Sequence, residues 1–314
     1  MEYIVWTHVL INITLRMSPK DLYREIVLHT WQLGFVEDPM ESIINKEKDF
    51  KKVRYVKHHY KNRWWADPFI LDYNDKEIIL LAEDFCDEDK KGKISKLVID
   101  RETMEMKSVK IILEIDSHLS FPAILKRDNN IILFYPENSG GQGLVLYEYD
   151  MKTDICKVIK VLSKEKLTDA IITDYFGNQQ IFSTSGSNAN GKILEVYDYN
   201  KQDNEFILNS IIDFQENIAR NAGDFFVYKG QLYRFAQECN YTYGHALSLQ
   251  KIDYTNNRYN VTEVKRFLPP KGFGNIGVHT FNIYKDMKVI DVKSFRHPWI
   301  AVPLFKLRNV FKHR

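Results

Sequence analysis

Residues 67–85 read DPFILDYNDKEIILLAEDF. A polar corner ending at Pro68 leads into an apolar run, Phe69 to Leu71. The turn signal Tyr73-Asn74-Asp75 breaks that run. A second apolar run, Ile78 to Ala82, precedes the acids Glu83 and Asp84. Two strand-length apolar runs around a turn signal predict a β-hairpin. The pattern recurs as FPAILKRDNNIILFYPENS at 121–139 and DAIITDYFGNQQIFSTSGS at 169–187. It returns as NAGDFFVYKGQLYRFAQEC at 221–239 and HTFNIYKDMKVIDVKSF at 279–295. The starts lie 54, 48, 52 and 58 residues apart. Self-similarity at about 40 to 50 residues, with several strands per unit, marks a β-propeller. The gaps carry further strand signals, such as Gly92 to Ile99 and Leu144 to Tyr149, which would be the outer strands of each blade. The prediction is an all-β fold, a five-bladed β-propeller. An evenly spaced β-sandwich is the alternative, but sandwiches show turn signals without a five-fold phase.

The 314-residue chain is 44% hydrophobic and 27% charged, which excludes disordered and collagen-like classes. Its net charge of +2 is too small for a nucleic-acid binder, so no nucleic-acid partner is expected. Aromatics at 13% suit strands and also flat, wet binding surfaces such as sugar sites. Cys86, Cys156 and Cys239 cannot pair fully and form no CxxC, so they read as reduced thiols. The apolar start, Tyr3 to Ile13, lacks the basic region and cleavage site of a signal peptide. No run reaches the roughly 18 apolar residues of a membrane span. The expectation is a cytoplasmic protein.

Three regions are expected. Residues 1–50 form a partly helical N-terminal extension, with a helix over Lys20–Leu33 that starts after Ser18-Pro19 and ends at Gly34. Residues 51–292 form the propeller, and residues 293–314 form a basic, aromatic tail. The tail holds Lys293, Arg296, Lys306, Arg308, Lys312 and Arg314 among Phe295, Trp299, Phe305 and Phe311, with no acid. That composition suits a peripheral contact with the inner face of a membrane, the alternative being a segment packed on the propeller.

Innermost strands of a propeller line its channel, so equivalent positions of successive blades converge at the mouth. Asp67, Asp169, Arg220, Asn221 and His279 all lie at the start of the first strand of a repeat. A second ring comes from the end of the next strand: Glu83-Asp84, Glu137-Asn138, Ser183-Thr184-Ser185 and Gln237-Glu238. Carboxylates in apolar frames are costly unless paired or functional. Asp67, Asp169 and Glu238 are the candidate catalytic acids. Glu137, His118, Arg220, Asn221 and His279 are candidate binding residues, with Trp65 and Tyr243 as stacking faces. Arg220 or His279 could hold a donor phosphate or an acceptor carboxylate. His58-His59 has no spaced partner, so no metal site is expected, and no cofactor is indicated. Gly140-Gly141-Gln142-Gly143 lacks the Lys-Ser/Thr of a phosphate loop and reads as a hairpin turn.

Several strings carry a resemblance: Trp65-Ala66-Asp67-Pro68-Phe69, Ser117 to Pro122, Pro136-Glu137-Asn138, Ala219 to Gly223, Arg234 to Cys239, Tyr243-Gly244 and His279-Thr280. In this order they resemble the N-terminal domain of glucosamine inositolphosphorylceramide transferases, over about Trp31 to Val292. In plants that domain precedes a glycosyltransferase domain, and none is expected to follow here. Stand-alone bacterial relatives are associated with surface-polysaccharide synthesis, which the resemblance implies for this chain. More distantly, the chain is similar to five-bladed glycoside hydrolases of the arabinanase and invertase groups. Trp65-Ala66-Asp67-Pro68 looks like the invertase nucleophile motif, and Glu238-Cys239 looks like its acid/base motif. Asp169 is similar to the intervening acid but lacks its flanking Arg and Pro.

Three readings follow. One is an enzyme of glycosyl transfer or glycan processing, acting on a nucleotide-sugar or lipid-linked carbohydrate. In it Asp67 would be base or nucleophile and Glu238 the acid. The others are a glycoside hydrolase and a non-catalytic glycan-binding propeller.

Overall fold

A computed structural model describes residues 28–45 and 49–304. Five four-stranded antiparallel sheets form a ring of five blades. Blade 1 holds β3 (Arg63–Tyr73), β4 (Glu77–Cys86), β5 (Lys91–Asp100) and β6 (Met106–Leu113). Blade 2 holds β7 (Ser120–Asp128), β8 (Ile131–Glu137), β9 (Leu144–Asp150) and β10 (Ile155–Ser163). Blade 3 holds β11 (Leu167–Thr173), β12 (Gln180–Ser185), β13 (Ile193–Asn200) and β14 (Glu205–Asp213). Blade 4 holds β15 (Phe226–Tyr228), β16 (Gln231–Glu238), β17 (Ala246–Thr255) and β18 (Arg258–Phe267). In each the first strand is innermost and the fourth is the outer edge.

Blade 5 is composite. Its inner strands β19 (Asn275–Tyr284) and β20 (Met287–Phe295) come from the end of the chain. Its outer strands β1 (His29–Val36) and β2 (Val53–Tyr55) come from the beginning. β1 pairs along its whole length with β20, His29 opposite Phe295 through Val36 opposite Lys288. Joining the two chain ends in one sheet closes the ring and removes two free sheet edges. Residues 29–33 are therefore strand, where a helix ending at Gly34 was expected. The decisive signal is the alternation Trp31, Leu33, Phe35, all buried. Gly34 is not a helix terminator but a packing requirement, since a Cβ there would lie 2.6 Å from Val53 Cγ1. The earlier part of the expected helix, residues 20–27, and the tail beyond residue 304 lie outside the described residues. Residues 298–304 are helical, and the short helix α1 (Met40–Asn45) bridges β1 and β2.

The core is divided among the blade interfaces because strand side chains alternate. In β4, Ile78, Leu80 and Ala82 join one apolar cluster with Leu33, Phe35 and Val289 of blade 5. Leu81 joins another with Phe121, Phe134 and Ile171 of blades 2 and 3. Blades 1, 3, 4 and 5 thus each contribute to two clusters, and blade 2 lies within one. Tight turns link the strands: Lys229-Gly230 and Asn256-Asn257 have positive φ, as the favoured two-residue hairpin turns require.

The innermost strands of blades 1 to 3 share an irregularity. The ladder slips between Ala66 and Phe69, between Ser120 and Ala123, and between Thr168 and Ile171. The bulged residues Asp67, Phe121 and Asp169 have φ of 49°, 44° and 48°. Positive φ is uncommon outside glycine, and bulges re-aim side chains and backbone N–H groups. Here they send the Asp67 N–H to Asp291 and the Phe121 N–H to Asp67, while the Phe121 ring stays in the core against Phe69.

Candidate functional site at the propeller mouth

Two tiers of polar residues occupy one end of the channel. The lower tier centres on Asp291, which is fully buried in β20. Its Oδ2 accepts the Asp67 N–H at 2.8 Å and the Thr280 hydroxyl. Its Oδ1 accepts the Thr280 N–H at 2.9 Å and faces His279 Nδ1 at 2.7 Å. Asp67 is 3% exposed. Its Oδ2 accepts the Phe121 N–H at 3.2 Å, and its Oδ1 lies 3.4 Å from His279 Nε2. One carboxylate–imidazole–carboxylate chain therefore ties blade 5 to blade 1, and Asp67 ties blade 1 to blade 2.

Charge is distributed along this chain by its surroundings. Burial lifts Asp67 well above the usual carboxylate range, although the His279 charge pulls the other way. Burial also opposes ionisation of Asp291, but the His279 charge and the converging donors outweigh it and hold Asp291 below its ordinary value. Burial would lower His279, and Asp291 with Asp67 raises it above its ordinary value instead. Asp67, His279 and Asp291 offer ligand atoms within 4.8 Å of one another. The oxygens of Asp291 are already committed to donors, so the group is arranged to hold itself together.

Asp169 anchors the other side. Its Oδ2 accepts Arg220 Nε at 2.6 Å and Gln237 Nε2 at 2.9 Å, while its Oδ1 is buried without a partner among the described residues. Arg220 also reaches Asn190 Oδ1 at 2.8 Å and lies over the Tyr243 ring at 5.0 Å. Asn221 is fully used internally. Its amide donates to the Asp169 and Phe182 carbonyls, and its Oδ1 accepts Arg234 Nη1 at 2.6 Å.

The upper tier surrounds a cavity of about 340 Å3. Glu83, Ser120, Glu137, Ser139, Thr168, Arg220 and His279 supply its polar lining. Trp31, Trp64, Phe85, His118 and Tyr243 supply rings, with Trp64 stacked on Phe85 at 4.6 Å. Trp31 lies on His279 at 3.9 Å, which seats the lower tier under an aromatic lid. Glu83 Oε1 is 3.3 Å from His118 Nε2. The Gly92 N–H donates to His118 Nδ1 at 2.9 Å, so the ring carries its proton on Nε2, aimed at Glu83. Glu83 draws the proton affinity of His118 upward, but the Gly92 N–H occupies the site a second proton needs, and the geometry favours the neutral ring. Gly92 is obligatory here, since a Cβ would lie 2.3 Å from the Leu119 carbonyl oxygen. Glu137 accepts the Ser139 N–H at 2.9 Å and the Ser120 hydroxyl at 3.2 Å.

The expected residues separate accordingly. His118, Glu137, Arg220, His279 and Tyr243 line the cavity. Asp67 and Asp169 sit directly beneath it, and Asn221 is walled off. Glu238 is not with them. β16 is regular there, so Gln237 turns to the channel and Glu238 to the other side. Glu238 accepts the Asn240 N–H at 2.9 Å and meets His245 Nδ1 at 2.5 Å, fastening the loop that presents Tyr243. The same alternation buries Trp65 in the core and puts Trp64 on the cavity. Asp84 likewise turns away, held by Arg63 Nε and Nη2. Three residues of this arrangement were not singled out as candidates by the sequence reading. Asp291 was legible as an acid inside the apolar run Val289-Ile290-Asp291-Val292, which needs a partner. Trp31 was hidden by the helix assignment, and Glu83 belonged to the second ring without a phase to separate it from Asp84.

A five-bladed propeller with an aromatic, carboxylate-lined mouth is the class that fold and site define. The family model described as "Glucosamine inositolphosphorylceramide transferase 1, N-terminal" matches residues 53–302, and the chain belongs to that family. Proteins named glucosamine inositolphosphorylceramide transferase 1 are similar in sequence. The one from Oryza sativa subsp. japonica is 28% identical over 202 residues, covering 62% of this chain and 27% of the relative. The Arabidopsis thaliana protein is 31% identical over 157 residues, covering 47% and 20%. The chain thus spans about a quarter of the length of these relatives. Among solved structures, a GH43 beta-xylosidase/alpha-arabinofuranosidase from a compost microbial metagenome aligns with TM-score 0.48 at 10% identity. It covers 73% of this chain and 85% of its own. An exo-beta-1,3-galactanase from Phanerochaete chrysosporium aligns with TM-score 0.49 at 9% identity, covering 74% and 60%.

Proposed function

We propose that this chain is a carbohydrate-active enzyme acting on a glycosyl unit held in the mouth cavity. Its reaction would be glycosyl transfer or glycan processing in the synthesis of a surface polysaccharide or glycolipid. The observation that carries this reading is one cavity of about 340 Å3 that combines the faces of Trp31, Trp64 and Tyr243 with Glu83, Glu137, His118 and Arg220. Sugars offer C–H faces to aromatic rings and hydroxyls to carboxylates, and the chemistry at an anomeric carbon uses two carboxyl groups in different roles. In this reading Glu83, beside the His118 N–H, handles the proton. Glu137, oriented by Ser120 and Ser139, faces the anomeric carbon. Asp67 and Asp169 set the field from beneath, a role different from the nucleophile or base first expected of Asp67.

The substrate is proposed to be nucleotide-linked or lipid-linked, with the protein at the cytoplasmic face of a membrane. Trp299, 78% exposed and lying tilted against Phe273 at 4.3 Å, supports a lipid contact. A second reading, glycan binding without bond chemistry, is favoured by the burial of Asp67 and its commitment to internal partners. Calorimetry against nucleotide sugars, lipid-linked sugars and free oligosaccharides, followed by turnover assays on the best binder, separates the two. Enzyme action requires Glu83→Gln and Glu137→Gln to keep binding and lose turnover. Binding by the unaltered chain with no turnover of any such ligand supports the second reading.

A further inference from the structure

Each innermost strand starts at the mouth, so the links between second and third strands, and those between blades, all lie on the mouth face. That face is uneven. Among the described residues the two most exposed large apolar side chains are Tyr241, at 79%, and Trp299. Both lie on it, Tyr241 in the link between β16 and β17 and Trp299 in the helical segment after β20. Leu268 and Phe273, in the link between β18 and β19, are also exposed, and Phe273 lies against Trp299. These segments adjoin one another, Gly244 close on Gly277 and Gly274 close on Pro298. Their rings form one rim at blades 4 and 5, beside the cavity wall that Tyr243 supplies. Exposed apolar groups gathered in this way mark an interaction surface. Residues 239–245, 268–274 and 296–304 contain Lys271 and Arg296 and no acid. Further round the mouth, residues 87–90 and 114–119 of blades 1 and 2 contain five acids and one lysine.

We propose that the rim at blades 4 and 5 is the surface by which the protein sits on an anionic bilayer, with the mouth opening beside the lipid head groups. The inference rests on the lipid-linked substrate proposed above and adds which face meets the lipid. Rings on short loops suit a bilayer, because tyrosine and tryptophan bury an apolar ring among the head groups and keep their polar atom wet. The charges select the same occupant. Cations without acids draw this rim to negative lipid, and the acids of blades 1 and 2 are pushed away from it. The outcome is a tilted seat that leaves the cavity open along the membrane surface. The chain past residue 304 continues from this rim with Lys306, Arg308, Lys312 and Arg314 and no acid, which adds to the attraction.

Co-sedimentation of the full chain with vesicles of phosphatidylcholine and phosphatidylglycerol tests it, against vesicles of phosphatidylcholine alone. The expected result is tighter binding to the anionic vesicles, weakened by salt. Tyr241→Ser with Trp299→Ser should weaken that binding about tenfold or more. Lys271→Ala should weaken it about fivefold. Val158→Ser with Ile211→Ser, at exposed positions on the circumference, should leave it unchanged. Brominated lipids should quench the tryptophan fluorescence of the unaltered chain and quench Trp299→Phe much less. Lys271→Ala and the quenching keep the test open if the double serine variant does not fold, which circular dichroism reads. No binding to anionic vesicles at low salt overturns the proposal. So do rim variants that bind as the unaltered chain does. Glycan binding measured without vesicles tests the cavity reading separately, so either can fail while the other stands.

Discussion

The lower and upper tiers of the mouth use the same residue types for opposite ends. Below, Asp67, His279 and Asp291 spend nearly every donor and acceptor on one another and on backbone N–H groups of three blades. Above, Glu83 and Glu137 each keep part of their carboxylate toward a cavity while one or two neighbours fix their orientation. A buried acid with converging backbone donors is an architectural clamp, and it cannot be tested by activity alone. An acid held from one side and open on the other is available to a ligand. Reading both tiers as one catalytic cluster merges two jobs that physical chemistry keeps apart.

The comparison breaks first at the clamp. Asp291→Ala leaves the Asp67 and Thr280 N–H groups and a buried His279 without their acceptor. The expected cost is about 3–5 kcal/mol, read by chemical denaturation. Trp65→Ala should cost about as much by opening a core cavity. Trp64→Ala, one residue earlier, should leave the denaturation midpoint nearly unchanged. Equal losses from the two tryptophans would contradict the alternation that separates them.

At the upper tier, Glu83→Gln and Glu137→Gln are expected to change stability by less than about 1 kcal/mol. Turnover of an identified substrate should fall by roughly 10²- to 10⁴-fold. A large stability loss from either would move that glutamate into the clamp. Gly92→Ala sharpens the boundary, since its Cβ would push on the Leu119 carbonyl, His118 and Glu83 together. It should cost about 1–3 kcal/mol and impair catalysis as well.

The smallest effect is in pH. His279 titrates higher in the folded chain than in the unfolded one. Its contribution to stability is therefore fully present below its ordinary pKa of 6.5 and is lost as pH rises through the folded value. The stability gap between the unaltered chain and His279→Gln should narrow on raising the pH from 6.5. Denaturation midpoints across that range measure it. A gap that widens would mean that the imidazole is neutral in the fold.

The phase of five repeats, the alternation within each hairpin and the turn residues between them are local properties, and they determined the all-β five-bladed architecture from the sequence. The same repeats put Glu137, Arg220 and His279 at equivalent positions of a ring, and all three line one cavity, whereas Glu238, placed there by the same argument, faces away, and His118 and Tyr243 lie outside the repeated segments. Three things waited for the tertiary structure. Ring closure gave residues 29–36 a partner strand, and pairing to β20 overrode whatever helical tendency that segment had. Register decided between neighbours, Trp64 over Trp65, Glu83 over Asp84 and Gln237 over Glu238, since a shift of one residue exchanges the two faces of a strand. The bulges at Asp67, Phe121 and Asp169 then set which buried acceptors those strand starts reach, Asp291 for the Asp67 N–H and Asp67 for the Phe121 N–H. Whether a backbone adopts positive φ there depends on contacts hundreds of residues away, such as Asp291 beneath Asp67, and no local pattern carries that information.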